Sequence, residues 1–404
     1  MKVGEVFRPQ DQEQAAEAVA AALAADAPLE IAGAGSHAAL GRPVASAARL
    51  ETAGLAGVSM YEPEELVFTA GAGTPLAEVR RMLAERGQML AFEPPDFSAL
   101  LGASASGGTL GGMVARGLAG PRRIRAGSVR DHLLGLAAVN GRAEAFKAGG
   151  RVMKNVTGFD LPKLMCGAFG TLAVLTELTF KLQPAPRAAA TLRLRGLGED
   201  AANAAMTRAL GLPLEVSGAA HLPADVTGGE AATLLRLEGF EASVKARMEM
   251  LQEALKEHPG EVLEGERSES LWRDVRDVRP LAGDEESLIW RICCPPAQGA
   301  QVARALREMI PSARLFMDWG GGLIWLSVPP SPHAGAGLVR GALGEVGGHA
   351  TLFRAPEGVR RNVAVFQPQP EALAEVTARI KAAFDPRDIL NPGRVYPSAR
   401  EREA

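Results

Sequence analysis

Four glycines in six positions, in Gly107-Gly-Thr-Leu-Gly-Gly112, constrain this chain more than any other segment. A run so poor in side chains lays backbone N–H groups almost bare. A flat, phosphate-bearing ligand can approach such a surface more closely than any covered loop. Ser104-Ala-Ser106 leads into it. A second loop of the same character, Gly33-Ala-Gly-Ser-His37, follows the apolar run Leu29-Glu-Ile-Ala32. Two such loops in one half of a chain imply a dinucleotide held at two places.

A length of 404 residues allows two or three domains, each with a core. With 47% hydrophobic and 23% charged residues, the composition is that of an ordinary globular protein. A net charge of −3 excludes a global basic field for nucleic acid. No apolar run approaches a membrane span, and the N-terminus lacks a signal-peptide pattern, so the expected location is cytoplasmic. Cys166, Cys293 and Cys294 offer neither a disulfide framework nor a C-x-x-C pair, and read as structural thiols. An iron–sulfur cluster needs about four thiolates, so any such centre belongs to another chain.

The first half alternates helix and strand signals. A helix is expected over 12–25, a strand over 29–32 and another over 65–69. Thr74 reads as the N-cap and Pro75 as the first residue of a helix that stops near Gly87. Leu133–Val139, Asn140-Gly141 and 143–147 read as a hairpin whose turn residues take positive φ. Asp160 caps a helix over 161–166. Period-two alternation from Leu172 to Leu182 predicts a strand with one buried face. Gln183-Pro-Ala-Pro-Arg187 reads as a linker. Beyond it, strands are expected at 189–194, 232–237, 288–293, 314–317 and 323–328. Helices are expected near 241–257, 298–309, 335–345 and 370–384. The fold class is therefore α+β, the second domain an antiparallel sheet with helices on one face. The tail from Phe384 is rich in turn formers, yet holds Ile389, Leu390 and Tyr396, so it should dock.

Gly33-x-Gly35-x-x-Ala38 meets the loose dinucleotide fingerprint, but Gly41-Arg-Pro43 prevents the long helix that fingerprint requires. Gly71-x-Gly73 does lead into a helix, which local structure alone explains. The loops gain meaning together. Ile31–Gly41, Gly107–Gly112, Gly127-Ser-Val-Arg-Asp-His-Leu-Leu-Gly135, Gly150–Asp160 and Gly167-Ala-Phe-Gly-Thr171 occur in one order. This order resembles the FAD-binding domain of the vanillyl-alcohol oxidase/p-cresol methylhydroxylase (PCMH) type. Within that type it is most similar to the FAD-binding subunits of bacterial glycolate oxidase (glycolate dehydrogenase). Phe384-Asp-Pro-Arg-Asp-Ile-Leu-Asn-Pro-Gly393 is similar to their C-terminus. The resemblance covers residues 1–183 and the tail well, and the middle weakly.

The resemblance implies a PCMH-type domain over 1–183, in two α/β subdomains (about 1–55 and 56–183) with FAD between them. It implies an α+β domain over 188–383 and a tail, 384–404, docked on the FAD domain. Gly33, Ala34, Gly35, Ser36 and His37 would carry the pyrophosphate. Ser104, Gly107, Gly108, Thr109, Gly111 and Gly112 would line the pyrophosphate and isoalloxazine. Ser128, Asp131 and the segment Gly170 to Val174 would face the ribityl and adenosine parts, with Asn391 contributing from the tail. In relatives with covalent flavin a histidine of the first loop is the attachment point. Ser36 falls at that place here, so non-covalent FAD is expected, with His37 a polar contact or solvent-facing. His132 reads as structural. Arg116, Arg122, Arg123, Arg125 and Arg130 form a basic cluster, either a solvated loop or a partner for the diphosphate or an acidic protein.

Oxidising a 2-hydroxy acid needs a base and a cation for the carboxylate. His221, His258, His333 and His349 are scattered, without the His-rich motif of the family's catalytic sister subunit. The expected role is therefore an accessory FAD subunit of a glycolate oxidase complex. It would work beside a catalytic FAD subunit and an iron–sulfur subunit, meeting the membrane only peripherally. A free-standing dehydrogenase using Arg291, Arg354 or His349, and a scaffold without flavin, remain alternatives. Phe316, Trp319 and Trp325 mark either a partner surface or core.

Overall fold

The computed structural model describes residues 2, 4–103, 107–151, 158–398 and 400. Helix Gln12–Ala24 begins at Asp11, whose carboxylate accepts from the Gln14 amide at 2.8 Å. Its small buried face (Ala15, Ala18, Val19, Ala22) shares a core with Leu29, Ala48 and Leu50 of a sheet of three parallel strands, Glu5–Phe7, Ala48–Glu51 and Leu29–Ala32. Val139 and Val174 join this core from the next sheet. That sheet is antiparallel, ordered Val58–Glu62, Val67–Gly71, Ala173–Lys181, Leu133–Asn140, Ala145–Gly149.

Strand Ala173–Lys181 is buried on both faces, not one. Helix Gln12–Ala24 covers Val174 on one side, while Leu178 and Phe180 pack with Phe68 and Leu136. The helix after Pro75 spans Leu76–Ala84, so Thr74 is not its cap. The Thr74 hydroxyl instead donates to Gly71 O at 2.7 Å and accepts from Gly57 N at 3.0 Å. The expected hairpin forms, but positive φ falls on Ala143, at 62°, and not on Asn140 or Gly141. Gly141 is small for another reason: a Cβ there would sit 2.3 Å from Asp385 Oδ1 of the tail.

Past the linker lies an antiparallel sheet of eight strands. Their order is Gly260–Glu264, Ala188–Arg195, Ala232–Gly239, Gly218–Leu222, Arg314–Asp318, Leu323–Val328, Leu288–Cys293, His349–Arg354. Helices Glu199–Gly211, Glu241–Ala254 and Gly299–Met309 cover one face through Met206, Leu251 and Leu306. The other face carries Phe316, Trp325 and Phe353, which close against Phe97 of the first domain and Trp272 of helix Gly265–Arg276. Phe316, Trp319 and Trp325 are thus core, not a partner surface.

The tail returns to the first sheet. Leu29 N donates to Ile389 O at 2.7 Å and Asn391 N to Leu29 O at 3.0 Å, extending the sheet by a parallel bridge. Helix Glu371–Phe384, grouped above with the second domain, packs instead on the first. Phe384 meets Phe146, and Lys381 Nζ donates to Thr171 O at 2.8 Å. Among the described residues no helix is long and apolar enough to cross a membrane.

Candidate functional site

Strand Leu29–Ala32 ends in the first glycine loop, and the chain turns there with no helix to follow. Among the described residues, none of the five amides from Gly33 to His37 has an acceptor within the chain. Exposed amides in sequence form an anion-binding concavity. The second loop is different. Gly107 N donates to Asp96 Oδ2 (3.1 Å), Gly111 N to Ala72 O (2.7 Å) and Gly112 N to the Thr109 hydroxyl (3.2 Å). Its glycines serve close approach more than open donors. A Cβ on Gly33 would stand 2.5 Å from Thr109 Oγ1, and one on Gly108 2.9 Å from Ser36 Oγ. The two loops touch because neither carries a side chain at these points.

Between them runs a cleft walled by Gly33–Ala38, Thr109, Gly111, Gly112, Arg116, Phe169, Gly170 and Arg394. Ser104 lies outside the described residues. Gly107 and Gly108 sit behind the wall, Gly108 against Ser36 and His37. Ser128 and Asp131 do not reach the cleft lining. They close a capping box on Val129–His132, Ser128 N donating to Asp131 Oδ2 at 2.7 Å. Val174 is fully buried in the core, while its neighbours Ala173 and Leu175 line the cleft. Asn391 also stays behind the wall. Its Oδ1 accepts from Ile31 N (2.8 Å) and its Nδ2 donates to Phe169 O (2.8 Å), tying the first loop's strand to Phe169-Gly170.

His37 is turned inward, not toward solvent. Its Nδ1 pairs with Ser36 Oγ at 2.9 Å, and burial with the nearby Arg116 pushes the imidazole down to about 4. His132 is structural, fully buried with Nε2 against Ala126 O at 2.9 Å. The basic cluster disperses and does not form one solvated loop. Arg122 binds Glu238, Arg123 stacks on Trp319 at 4.4 Å and Arg125 pairs with Glu215.

Arg116 goes into the cleft, where Arg394 joins it, with Arg360 behind the wall at Gly41; sequence reasoning missed both partners. Arg116 Nη1 donates to Leu40 O (3.2 Å), Arg360 Nη1 to Gly41 O (2.7 Å) and Arg394 Nη1 to Ala38 O (3.2 Å). Glu30, 2.9 Å from Arg394, is the one carboxylate among the described residues within ion-pair distance of the three. Burial pushes Arg116 down to about 9 and lowers the other two, with mutual repulsion adding to it. No local signal announces this trio, because its members lie 244 and 34 positions apart. The Cys293 thiol departs from the inert reading. It lies in register with His349, and Arg291 and His349 overcome burial to hold it down at about 7. Among the described residues no three His, Cys, Asp or Glu side chains gather as a metal site.

Residues 4–149 match the FAD binding domain family, and residues 358–395 match the C-terminal domain of FAD linked oxidases. Glycolate oxidase subunit GlcE of Escherichia coli (strain K12) is 37% identical over 94% of this chain and 96% of its own length. The chain belongs to the GlcE family of FAD-linked oxidases. Glycolate oxidase subunit GlcD of Bacillus subtilis (strain 168) is a more distant relative. It is 26% identical over 84% of this chain and 78% of its own length. Alkyldihydroxyacetonephosphate synthase superposes with a TM-score of 0.68 at 14% identity, over 96% of this chain and 75% of its own, and shares the fold. This GlcE-family chain is thus a flavoprotein of the PCMH-type fold with FAD as cofactor.

Proposed function

We propose that FAD binds non-covalently in the cleft at Gly33–His37, and that the chain is the accessory flavin subunit of a glycolate-oxidising complex. The observation that carries the placement is the pairing of five unused amides with buried guanidiniums in excess of carboxylate. In the cleft wall two guanidiniums stand against one carboxylate, Glu30, and a diphosphate brings further negative charge. Arg116 and Arg394 line the cleft, while Arg360 holds the loop's far end through Gly41. A buried cation without a counter-charge is costly, and an anion relieves it. The loop amides would fix the diphosphate, and Asn391 would hold the spacing between that loop and Gly170.

Bound FAD supplies the two-electron acceptor for oxidation of a CH–OH donor, here glycolate to glyoxylate. The electrons would pass to an iron–sulfur partner subunit, since three dispersed cysteines build no cluster. An accessory role is supported by the sheet face opposite the flavin domain. There Phe97, Trp325 and Phe353 pack ring against ring at 4.9–5.5 Å as buried apolar core and offer no base. A second reading, independent turnover of a hydroxy acid, is favoured by Arg291, Cys293 and His349, which share the same side of neighbouring strands.

Separate and joint expression of the subunits decides between these readings. The isolated chain should purify yellow with one releasable FAD and show no glycolate-dependent dye reduction, which appears with the sister subunits. Turnover by the isolated chain would establish the second reading. A folded chain that stayed colourless in excess FAD would end both.

A further inference from the structure

On the far side of the interdomain contact lies a crease of about 460 Å3, well within the size of small-molecule sites. Helix Leu76–Ala84 forms one wall and helix Gly265–Arg276 the other, with the linker residues Ala185–Arg187 along the rim. Its floor is electrostatically closed. Arg236 holds Glu93 through two N–H groups at 3.1 and 3.0 Å, and Arg122 holds Glu238 at 2.7 and 2.9 Å.

The walls are not closed. The Arg80 guanidinium gives one N–H to the Pro94 carbonyl and has no carboxylate within 4.0 Å among the described residues. Asp277 and Asp96 attract it from farther away, while burial and the Arg276 charge oppose its cation. Arg276 engages Asp277 through Nε and Nη2 at 2.7 and 2.8 Å, so its Nη1 has no partner among the described residues. Among the described residues the Arg187 guanidinium meets the ring of the exposed Phe240, at 5.4 Å, and no carboxylate within 4.0 Å. Two guanidiniums that repel across a cavity, each with unused donors, are arranged for an anion between them. Point charges on a flat surface would be worth little, but here one partner is desolvated.

We propose that this crease is a second ligand site, separate from the flavin cleft, for a small multivalent oxyanion bridging Arg80 and Arg276. Arg187 would close the rim over it. Polycarboxylates and phosphates share the required chemistry of several oxygens and at least two negative charges. Because Arg80 belongs to the flavin domain and Arg276 to the eight-stranded domain, such a ligand ties the two together.

The test uses FAD-loaded protein, with the unfolding midpoint followed as citrate or inorganic pyrophosphate is titrated at constant ionic strength in sodium chloride. Flavin absorbance is read in parallel. The expected result is a saturable rise of about 2–5 °C at a hundredfold excess over Kd, with FAD retained. Arg80→Gln and Arg276→Gln should abolish it. Arg187→Gln, at an exposed position that folding tolerates, should weaken it severalfold. A response to citrate alone assigns polycarboxylates, and one to pyrophosphate alone assigns phosphates. A rise no larger than chloride gives, one undiminished in all three variants, or one accompanied by flavin release would overturn the proposal. None of these outcomes bears on whether FAD occupies the first cleft.

Discussion

Two buried groups of arginines in this molecule have opposite accounts of charge. In the interdomain layer Arg236 and Arg122 meet Glu93 and Glu238 as two bidentate pairs, and every guanidinium finds a carboxylate. What is left over there is an acid, Asp318, which burial pushes up to about 7 although its backbone neighbour Trp319 N donates to it at 2.7 Å. Around the cleft at Gly33–His37, Glu30 beside Arg394 is the one carboxylate among the described residues within ion-pair distance of Arg116, Arg360 or Arg394, and the excess is cationic. The first region satisfies itself and joins two domains. The second leaves buried cations that the proposed diphosphate would complete. Surplus charge of a given sign, buried, sets what each region would take up: a proton in one place and, as proposed, a diphosphate in the other.

The comparison is tested hardest at Glu93. Its carboxylate accepts from Arg236 twice and from the Arg122 amide at 3.0 Å. Glu93→Ala leaves a nearly fully buried Arg236 with Glu238, 3.4 Å from its Nε, as its remaining carboxylate among the described residues, and should cost about 3–5 kcal/mol in urea unfolding. The double variant Glu93→Met/Arg236→Met should recover most of that, since an apolar pair needs no solvation. A single-variant loss below about 1 kcal/mol would show the layer open to water, and the contrast with the cleft would fail.

The opposite outcome is expected at Arg116. Arg116→Met removes a desolvated cation with no ion-pair partner among the described residues. Flavin-free protein should then be as stable as before, or slightly more so. FAD affinity should fall tenfold to a hundredfold, about 1.4–2.7 kcal/mol. Fluorescence titration with FAD and urea unfolding of the flavin-free form give the two halves. Equal losses in both would make Arg116 a structural residue like Arg236.

The parts of this organisation that the sequence declared are those carried by backbone. Glycine loops, the Asp160 cap and the docked tail are properties of short segments, readable where they stand. Ser128 and Asp131 carry a readable signal of local structure, since Ser-x-x-Asp is a capping pattern before it is a ligand pattern. Strand Gly218–Leu222 escaped because Gly-Ala-Ala has little strand preference, and only its place between two longer strands makes it one. The arginine trio was illegible for a different reason. Its members come from helix Leu110–Arg116, helix Glu357–Asn362 and the tail, and their meeting is a product of the fold.

The last test concerns the interdomain layer's leftover acid. Asp318 is almost fully buried, with Glu93 nearby opposing its ionisation and Arg236 and Arg291 favouring it. In the unfolded chain it titrates near its ordinary 3.8, and in the folded protein at about 7. Between those values the folded state holds a proton that the unfolded state has lost. Stability contributed by this group therefore falls as pH rises from about 4 to about 7, and levels off above. One proton limits the slope to about 1.36 kcal/mol per pH unit. Glu238 acts in a separate window with the opposite sign. Its folded value is drawn down to about 2, so its contribution is lost only as acid carries the pH below about 4.5. Asp318→Asn, which keeps the shape without the titration, should flatten the dependence between pH 4 and 7 and leave the acid limb intact. If the variant keeps the wild-type slope there, Asp318 is already ionised in the folded protein. The interdomain layer would then carry an excess of negative charge beside its paired arginines.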